Sequence, residues 1–266
     1  SFLLGIYLAL KRSQERGLNQ NHMVNLCLIT IVASIAGARI MYVIPHWDEF
    51  SGHPLDVISP FQSSGAIGFL GLTMYGGFIG AVASSLLYLR YHRLPIWRTC
   101  DAFAPSIALG IGFTRIGCFL NGCCFGVPTE SVVGLVFPAF SAAGSFYPDS
   151  PIHPAQIYNA VLGFGLFGYL MWLGREKRFE GYLFSVLLIL EPMTRIIVDF
   201  FRYYEASMTL TSLDGILLSV NQGVGIVICG IGFLLLGRLR SQAQQRRAKK
   251  SGQRRKQVQS SAQKTS

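Results

Sequence analysis

Seven long apolar runs constrain the fold of this chain more than any other feature of its sequence. They span residues 1–10, 24–44, 73–89, 102–120, 156–173, 182–200 and 215–236. A run of roughly 20 apolar residues is long enough to cross a bilayer as a helix, whose backbone groups bond to one another away from water. Only 14% of the residues are charged, against about 25% in soluble domains. The sequence therefore predicts an all-α polytopic membrane protein with seven transmembrane helices.

The gaps between these runs alternate in charge. Lys and Arg follow the first, third, fifth and seventh runs, whereas the gaps at 45–72 and 121–155 contain neither. The positive-inside rule then places the basic gaps in the cytoplasm and the other two outside. These outer gaps are rich in aromatic residues, so we expect them to form arms or a cap on the outer surface. The chain begins at Ser1 inside an apolar run, without methionine, and we expect the first helix to be truncated.

The net charge of +10 resides in the C-terminal tail. Residues 238–266 hold ten of the 23 Lys and Arg and no acid, which leaves thirteen basic and thirteen acidic residues in 1–237. Such a tail either binds nucleic acid or lies in the cytoplasm near anionic headgroups, and we prefer the second interpretation. We predict a membrane domain over 1–237, a disordered basic tail over 238–266, and no nucleic-acid partner.

Four arginines lie in or beside the predicted spans, all toward the predicted outer side: Arg39, Arg115, Arg195 and Arg202. A charge at membrane depth costs about 2.5–3.5 kcal/mol on insertion scales, so it usually faces a partner, a cavity or an anionic ligand. Glu191 and Asp199 lie four residues either side of Arg195, which favours a local ion pair. Arg39 and Arg115 lack such an acid, so we expect them to contact a ligand. Guanidinium groups at headgroup level favour phosphate, which indicates a protein that handles phospholipid.

The fourth run ends in a turn punctuated by glycine, from Arg115 to Gly126. Glycine lets a backbone approach a ligand or adopt positive φ, and the amide of Asn121 both donates and accepts hydrogen bonds. This turn also holds three cysteines, Cys118, Cys123 and Cys124. They form a metal site with His153, a disulfide, or small buried apolar side chains. We prefer the last interpretation and predict no metal ion.

The stretch from Arg115 to Gly126 resembles the signature of bacterial prolipoprotein diacylglyceryl transferases. Further segments resemble that family in the same order, over nearly the whole chain: Gly37-Ala38-Arg39, Tyr75-Gly76-Gly77, His153-Pro154-Ala155-Gln156, Asp199-Phe200-Phe201-Arg202 and Ser219-Val220-Asn221-Gln222. The sequence departs from the family at Tyr75, where the family has His. Within the signature, Thr114, Cys118 and Cys123 replace Gly, Asn and Glu.

The resemblance implies an enzyme that moves a diacylglyceryl group from phosphatidylglycerol to the lipobox cysteine of a prolipoprotein signal peptide. A thioether forms, glycerol phosphate leaves, and no cofactor takes part. The enzyme would sit among the lipids of the bacterial plasma membrane, with its site toward the outer leaflet and its C-terminus in the cytoplasm. The implied catalytic residues are Arg115, Arg202 and Tyr75. The implied substrate-binding residues are Arg39, Asn121, Gly76, Gly77, Gly126, His153, Gln156 and Gln222.

Some alternatives stay open. His153, directly before Pro154, either caps the fifth helix or contacts substrate. A family member that binds lipid or lipoprotein without catalysis would fit the change at Tyr75. A lipid transporter or scramblase would also carry arginines in the membrane, but it predicts polar residues along a continuous path and symmetric halves, and no internal repeat is present in this sequence.

Overall fold

The computed structural model of the protein describes residues 2–52, 57, 71–176, 178–204, 209–210 and 218–264. Nine helices and two strands are assigned within these residues: α1 (Phe2–Glu15), α2 (Gln20–Val43), α3 (Trp47–Phe50), α4 (Met74–Tyr91), α5 (Ile96–Leu120), α6 (Ala142–Phe146), α7 (Ala155–Leu173), α8 (Tyr182–Asp199), β1 (Thr209–Leu210), β2 (Leu218–Ser219) and α9 (Val220–Lys264). The two strands form one short antiparallel pair. The described chain is therefore helical in nearly all its regular structure, as the apolar runs predict.

The predicted runs and the observed helices coincide. Each run is helical over most of its length, in α1, α2, α4, α5, α7, α8 and α9. Within the described residues, three helical stretches are long and apolar enough to cross a membrane, namely Gln20–Val43, Ile96–Leu120 and Val220–Arg246. The all-α prediction is confirmed, whereas the count of seven spans stays a prediction.

The C-terminal tail continues the last helix of the structure. Helix α9 runs to Lys264 without a break, whereas the predicted disorder of the tail stays a prediction. The tail is rich in Ala, Gln, Lys and Arg, which have high helix propensity, and it contains no proline. The apolar first half of α9 supplies the nucleus that these residues extend.

The chain divides into two compact units, here called the N-terminal unit (residues 10–99) and the C-terminal unit (residues 1–9 and 100–266). In the N-terminal unit, α2 and α4 pack at a glycine contact. A Cβ atom on Gly37 would lie 2.5 Å from the carbonyl oxygen of Gly76, and one on Gly76 would overlap the carbonyl of Gly37. Small residues at such a contact let two helix backbones approach closely. Of the predicted arm at 45–72, residues 53–56 and 58–70 lie outside the described part of the chain.

In the C-terminal unit, α5, α7 and α8 enclose an apolar core. Its buried members are Ala104, Ala108, Leu166, Leu170, Leu173, Leu183 and Leu187. Helices α5 and α7 approach closely where Gly163 faces Gly112, since a Cβ atom on Gly163 would lie 3.0 Å from the Gly112 nitrogen. Helix α8 also packs along α9. Helix α8 therefore packs against both α7 and α9.

A side chain from α5 caps the first turn of α8. Gly181 precedes α8 with a φ of 88° and has no side chain to act as a cap. The Asp101 carboxylate, only 2% exposed, accepts hydrogen bonds from the N–H groups of Gly181 at 2.9 Å and Phe184 at 3.0 Å. An anionic group at this position also interacts favourably with the helix dipole. The cap fixes the start of α8 against α5.

Candidate active site

Three of the sequence motifs meet in a short backbone ladder within the C-terminal unit. On one side of the ladder, the N–H of Gly126 donates to the carbonyl of His153 at 3.1 Å, and the N–H of His153 donates to the carbonyl of Val127 at 3.0 Å. The end of the signature turn is thus bonded to the segment that leads into α7. Backbone bonds of this kind hold two loops in a fixed register.

The other side of the ladder pairs with the residues that follow α8. The N–H of Val127 donates to the carbonyl of Phe201, and the N–H of Tyr203 donates to the carbonyl of Phe125, each at 3.1 Å. This antiparallel pairing places Arg202 directly opposite the signature turn. The ends of α5 and α8 and the start of α7 are therefore joined through one strip of backbone.

Gly126 lies buried at the centre of the ladder, and its lack of a side chain is required there. A Cβ atom would overlap the carbonyl oxygen of His153 and would lie 2.5 Å from that of Phe201. Neither neighbour is the flexible end of a side chain, so the backbone itself would have to move. The structure thus gives Gly126 a packing role, and its contact with substrate stays a prediction.

Arg202 is held by a network centred on Tyr204, a residue that the sequence analysis missed. Nη1 of Arg202 donates to the Tyr204 hydroxyl at 3.1 Å, and the guanidinium carbon lies 4.8 Å from the centre of the Tyr204 ring. The same hydroxyl donates to Oδ1 of Asp199 at 2.7 Å and accepts from Nδ2 of Asn221 at 3.2 Å. Burial and the bond to Asp199 raise the pKa of Tyr204 above its ordinary value.

Nε of Arg202 is buried and has no hydrogen-bond partner among the described residues. A buried charged donor is costly to leave unmet, so this atom offers a position for an acceptor atom of a ligand. The four other N–H bonds of a guanidinium make a planar fork suited to phosphate or carboxylate. The network around Tyr204 therefore orients an arginine that retains binding capacity.

Gln222 contributes to the start of α9. The N–H of Ser219 donates to Oε1 of Gln222 at 3.0 Å, and the N–H of Gln222 donates to Oγ of Ser219 at 3.1 Å. This reciprocal pair is the capping box that Ser-x-x-Gln sequences form at helix N-termini. The Ser219 hydroxyl also lies 3.3 Å from Oδ2 of Asp199, which links the cap to the Arg202 network. The sequence analysis assigned Gln222 to substrate, and the structure shows that it caps a helix.

Gln156 and His153 lie where α7 begins. Nε2 of Gln156 donates to the carbonyl of Cys123 at 2.8 Å, while its Oε1 is buried without a donor among the described residues. Nδ1 of His153 lies 3.1 Å from the Tyr158 hydroxyl. Pro154, not His153, occupies the cap position of α7, and Pro154 makes no side-chain capping bond. The capping role proposed for His153 is therefore wrong, whereas substrate contact stays a prediction.

Arg115 and Arg195 share an acidic neighbour. Glu191, on α8, interacts electrostatically with both guanidinium groups, and Nε of Arg195 is buried without an acceptor among the described residues. Of the two acids that the sequence places beside Arg195, Glu191 interacts with it, whereas Oδ1 of Asp199 accepts from the Tyr204 hydroxyl. Arg195 therefore joins the candidate site. Its depth in the sixth run was the sequence signal that marked it.

In the N-terminal unit, Arg39 is already occupied by protein groups. It is 4% exposed, and it donates from Nε to the carbonyl of Val57 at 3.0 Å and from Nη1 to that of Gly71 at 3.3 Å. Its guanidinium also lies 4.9 Å from the centre of the Phe50 ring. These contacts give Arg39 a role in holding the segment after α2, and its contact with substrate stays a prediction.

The other predicted residues differ in exposure. Tyr75 is 64% exposed in the first turn of α4, beside the buried Gly76 and Gly77. A Cβ atom on Gly77 would lie 3.2 Å from Oγ of Ser34 in α2, so both glycines serve helix packing. Asn121 is exposed at the end of α5. That residues of the two units act on one substrate stays a prediction.

The three cysteines of the signature turn form a cluster. Their Sγ atoms all lie within 4.8 Å of one another, and all three are free thiols of intermediate exposure. The preferred interpretation, that they are small buried apolar side chains, is wrong because none of them is buried. His153, which the sequence suggests as a fourth ligand, does not belong to this group, because its ring nitrogens do not lie within the same distance of the three sulfur atoms.

Long apolar helices, with arginines near their ends, place this chain in the class of helical membrane proteins. A family model described as "Prolipoprotein diacylglyceryl transferase" matches residues 1–238. The chain belongs to that family.

Curated relatives carry the same activity in their names. A phosphatidylglycerol–prolipoprotein diacylglyceryl transferase of Clostridium tetani is 33% identical over 200 residues, which cover 75% of this chain and 76% of the relative. One from Clostridium perfringens is 31% identical over 228 residues, covering 86% and 83%. One from Bacillus mycoides is 30% identical over 246 residues, covering 92% and 87%.

Proposed function

We propose that this protein transfers the diacylglyceryl group of phosphatidylglycerol to the lipobox cysteine of a prolipoprotein. The bond between glycerol carbon and phosphate oxygen breaks, a thioether forms, and glycerol phosphate leaves with the electron pair. The observation that carries the proposal is the ladder at Gly126, because it joins three motifs of a family whose model matches residues 1–238. The relatives named for this activity align over most of the chain.

The proposed setting is the bacterial plasma membrane, crossed seven times by residues 1–237. Support comes from the lengths of α4, α7 and α8, which have 18, 19 and 18 residues. At 1.5 Å per residue these helices measure about 27–29 Å, close to the thickness of a bilayer core. The alternation of basic gaps supports an active site toward the outer leaflet and a basic cytoplasmic tail at 238–266.

In the proposed mechanism, Arg202 and Arg115 hold the phosphate of phosphatidylglycerol and stabilise the charge that develops as it leaves. Fixed donors aimed at developing charge are commonly the largest single contribution to catalysis. Within the described part of the chain, Nε of Arg202 has no acceptor while the network around Tyr204 orients the guanidinium, and both observations support this role. Arg195, whose Nε likewise has no acceptor among the described residues, is proposed as a third positive group.

The attacking thiol must ionise, because the thiolate is the nucleophile. Nearby guanidinium groups favour that anion. Tyr75 stands where the family has histidine, and a tyrosine hydroxyl is suited to donating and accepting hydrogen bonds. We assign Tyr75 a hydrogen bond to the lipid phosphate or glycerol. Its 64% exposure leaves the hydroxyl accessible to a ligand.

The remaining residues are proposed to shape the substrate site. Arg39 supports the segment after α2, and Gly76 and Gly77 keep α4 close to α2. The proposed contacts for the peptide are His153 and Gln156, whose buried Oε1 has no donor within the part of the chain that the structure describes. We propose Asn121, Gly126 and Gln222 as parts of the same site, the last two acting through the backbone they hold.

The test uses the full chain purified in phosphatidylglycerol micelles with a synthetic lipobox peptide. We expect a thioether-linked product and released glycerol phosphate, with both lost in Arg202→Gln. A matched control is Arg178→Gln, because Arg178 pairs with Glu176 at the surface. Lipid binding without product would favour a non-catalytic family member. After reconstitution into phosphatidylglycerol vesicles, lipid movement between leaflets without product would favour a scramblase. Near-normal turnover of Arg202→Gln would remove Arg202 from the mechanism.

A further inference from the structure

The signature turn carries three thiols that the proposed transfer reaction does not use. Cys118 lies in the last turn of α5, and the chain reverses through Gly122, whose φ is 68°. The N–H of Cys123 then donates to the carbonyl of Cys118 at 3.1 Å. Cys124 follows with a φ of 60°, a left-handed conformation that is uncommon outside glycine. The reversal brings three sulfur atoms from one turn of chain to within 4.8 Å of one another.

We propose that Cys118, Cys123 and Cys124 bind one thiophilic metal ion, Zn²⁺ or Cu⁺, as three thiolates. Soft thiolate ligands select these ions over Mg²⁺ or Ca²⁺. With metal–sulfur bonds of about 2.3 Å, three sulfurs around one ion are about 4.0 Å apart. The observed limit of 4.8 Å means that side-chain rotation, without movement of the helix, closes the site.

Charge and access also favour the site. Each coordinating thiol loses its proton to solvent as the S–H bond breaks and the metal–sulfur bond forms. Three thiolates on Zn²⁺ leave one net negative charge, and Arg115 lies one turn before Cys118 on α5. All three thiols have intermediate exposure, so none of them is enclosed in the protein interior.

Binding would stiffen the turn on which the ladder depends. The carbonyl of Cys123 accepts the hydrogen bond from Gln156, and Gly126 lies two residues beyond Cys124. A metal ion at the thiols would therefore fix the position of the whole signature turn. This inference is independent of the transferase proposal, since it concerns the binding of an ion.

The test is a titration of the reduced, detergent-purified full chain with Cd²⁺, followed by the sulfur-to-metal charge-transfer absorption. We expect saturation at one ion per chain. Added Zn²⁺ or Cu⁺ should displace Cd²⁺, and the relative affinities identify the preferred ion. Each single substitution (Cys118→Ser, Cys123→Ser or Cys124→Ser) should weaken metal binding at least about tenfold. Mutating a residue that only hydrogen-bonds to a metal ligand already lowers metal affinity by this factor. The control is Cys229→Ser, which replaces a cysteine of intermediate exposure on α9 and should leave metal binding unchanged.

A second measurement covers variants that fail to fold. In the unmodified protein, Zn²⁺ should protect these three cysteines, but not Cys229, from alkylation read by mass spectrometry. Absence of a charge-transfer band would overturn the proposal, as would equal binding by the triple serine variant. A disulfide within the cluster, found in protein alkylated before purification, would also overturn it in favour of a redox pair.

Discussion

Replacing Tyr204 by phenylalanine removes the hydroxyl on which the Arg202 network converges and keeps the ring. Asp199 is 6% exposed, so water does not readily replace its 2.7 Å bond from Tyr204. A hydrogen bond to a charged group contributes about 1.5–3 kcal/mol, and a neutral one about 0.5–1.5 kcal/mol. Arg202 and Asn221 are only half buried and regain part of their loss from solvent. We therefore expect the free energy of unfolding to fall by about 2–4 kcal/mol.

The same substitution should lower transferase turnover about 10- to 100-fold, because Arg202 loses the bond that fixes its direction and a misplacement near 1 Å costs this much. Unfolding by denaturant in mixed micelles and the lipobox-peptide assay measure the two effects. The matched control is Tyr169→Phe, since Tyr169 is 45% exposed on α7. Unchanged stability and turnover in Tyr204→Phe would show that this hydroxyl does not hold Arg202.

The raised pKa of Tyr204 means that the folded protein holds this proton more tightly than the unfolded chain does. The protonated Tyr204 hydroxyl therefore contributes its full stabilisation below about pH 10, and this stabilisation is lost as the pH rises through the pKa of Tyr204 in the folded state. Melting curves at increasing alkaline pH should show that loss, and Tyr204→Phe should show less of it. Gly76→Ala should destabilise the protein by about 1–3 kcal/mol through overpacking against α2, whereas Gly165→Ala, which has open space around it, should be neutral or slightly stabilising in the same melting assay. Asp101→Ala should cost about 2–4 kcal/mol, since two backbone donors lose a charged acceptor; hydrogen exchange should rise first at the start of α8, and uniform exchange along the helix would contradict the capping role.

The helices were predictable because hydropathy reports the environment of each residue, and a spanning segment must satisfy its backbone internally. The positive φ of Gly122 follows from the same kind of local reasoning about glycine. Arg202 was found because a charge beside an apolar run is conspicuous. These signals are all carried by neighbouring residues in the sequence.

What the sequence did not reveal depends on contacts between distant segments. No local pattern indicates that Gly126 pairs with both His153 and Arg202, because the partners come from three different loops. Tyr204 lies outside every recognised motif, and its role appears only when Asp199 and Asn221 are seen to share its hydroxyl. Family resemblance marks residues without saying whether they touch substrate or support the fold.

The cap on α8 has a consequence for biosynthesis. Asp101 precedes Gly181 by 80 residues, so a ribosome delivers the acceptor long before it delivers the donors. The cap of α8 can therefore form only after residues 181 and 184 have been made, when Asp101 is already part of the chain. A nascent chain halted before residue 181 would still lack the two N–H groups that this carboxylate is placed to receive, which makes the arrival of α8 a defined late step in assembly of the C-terminal unit.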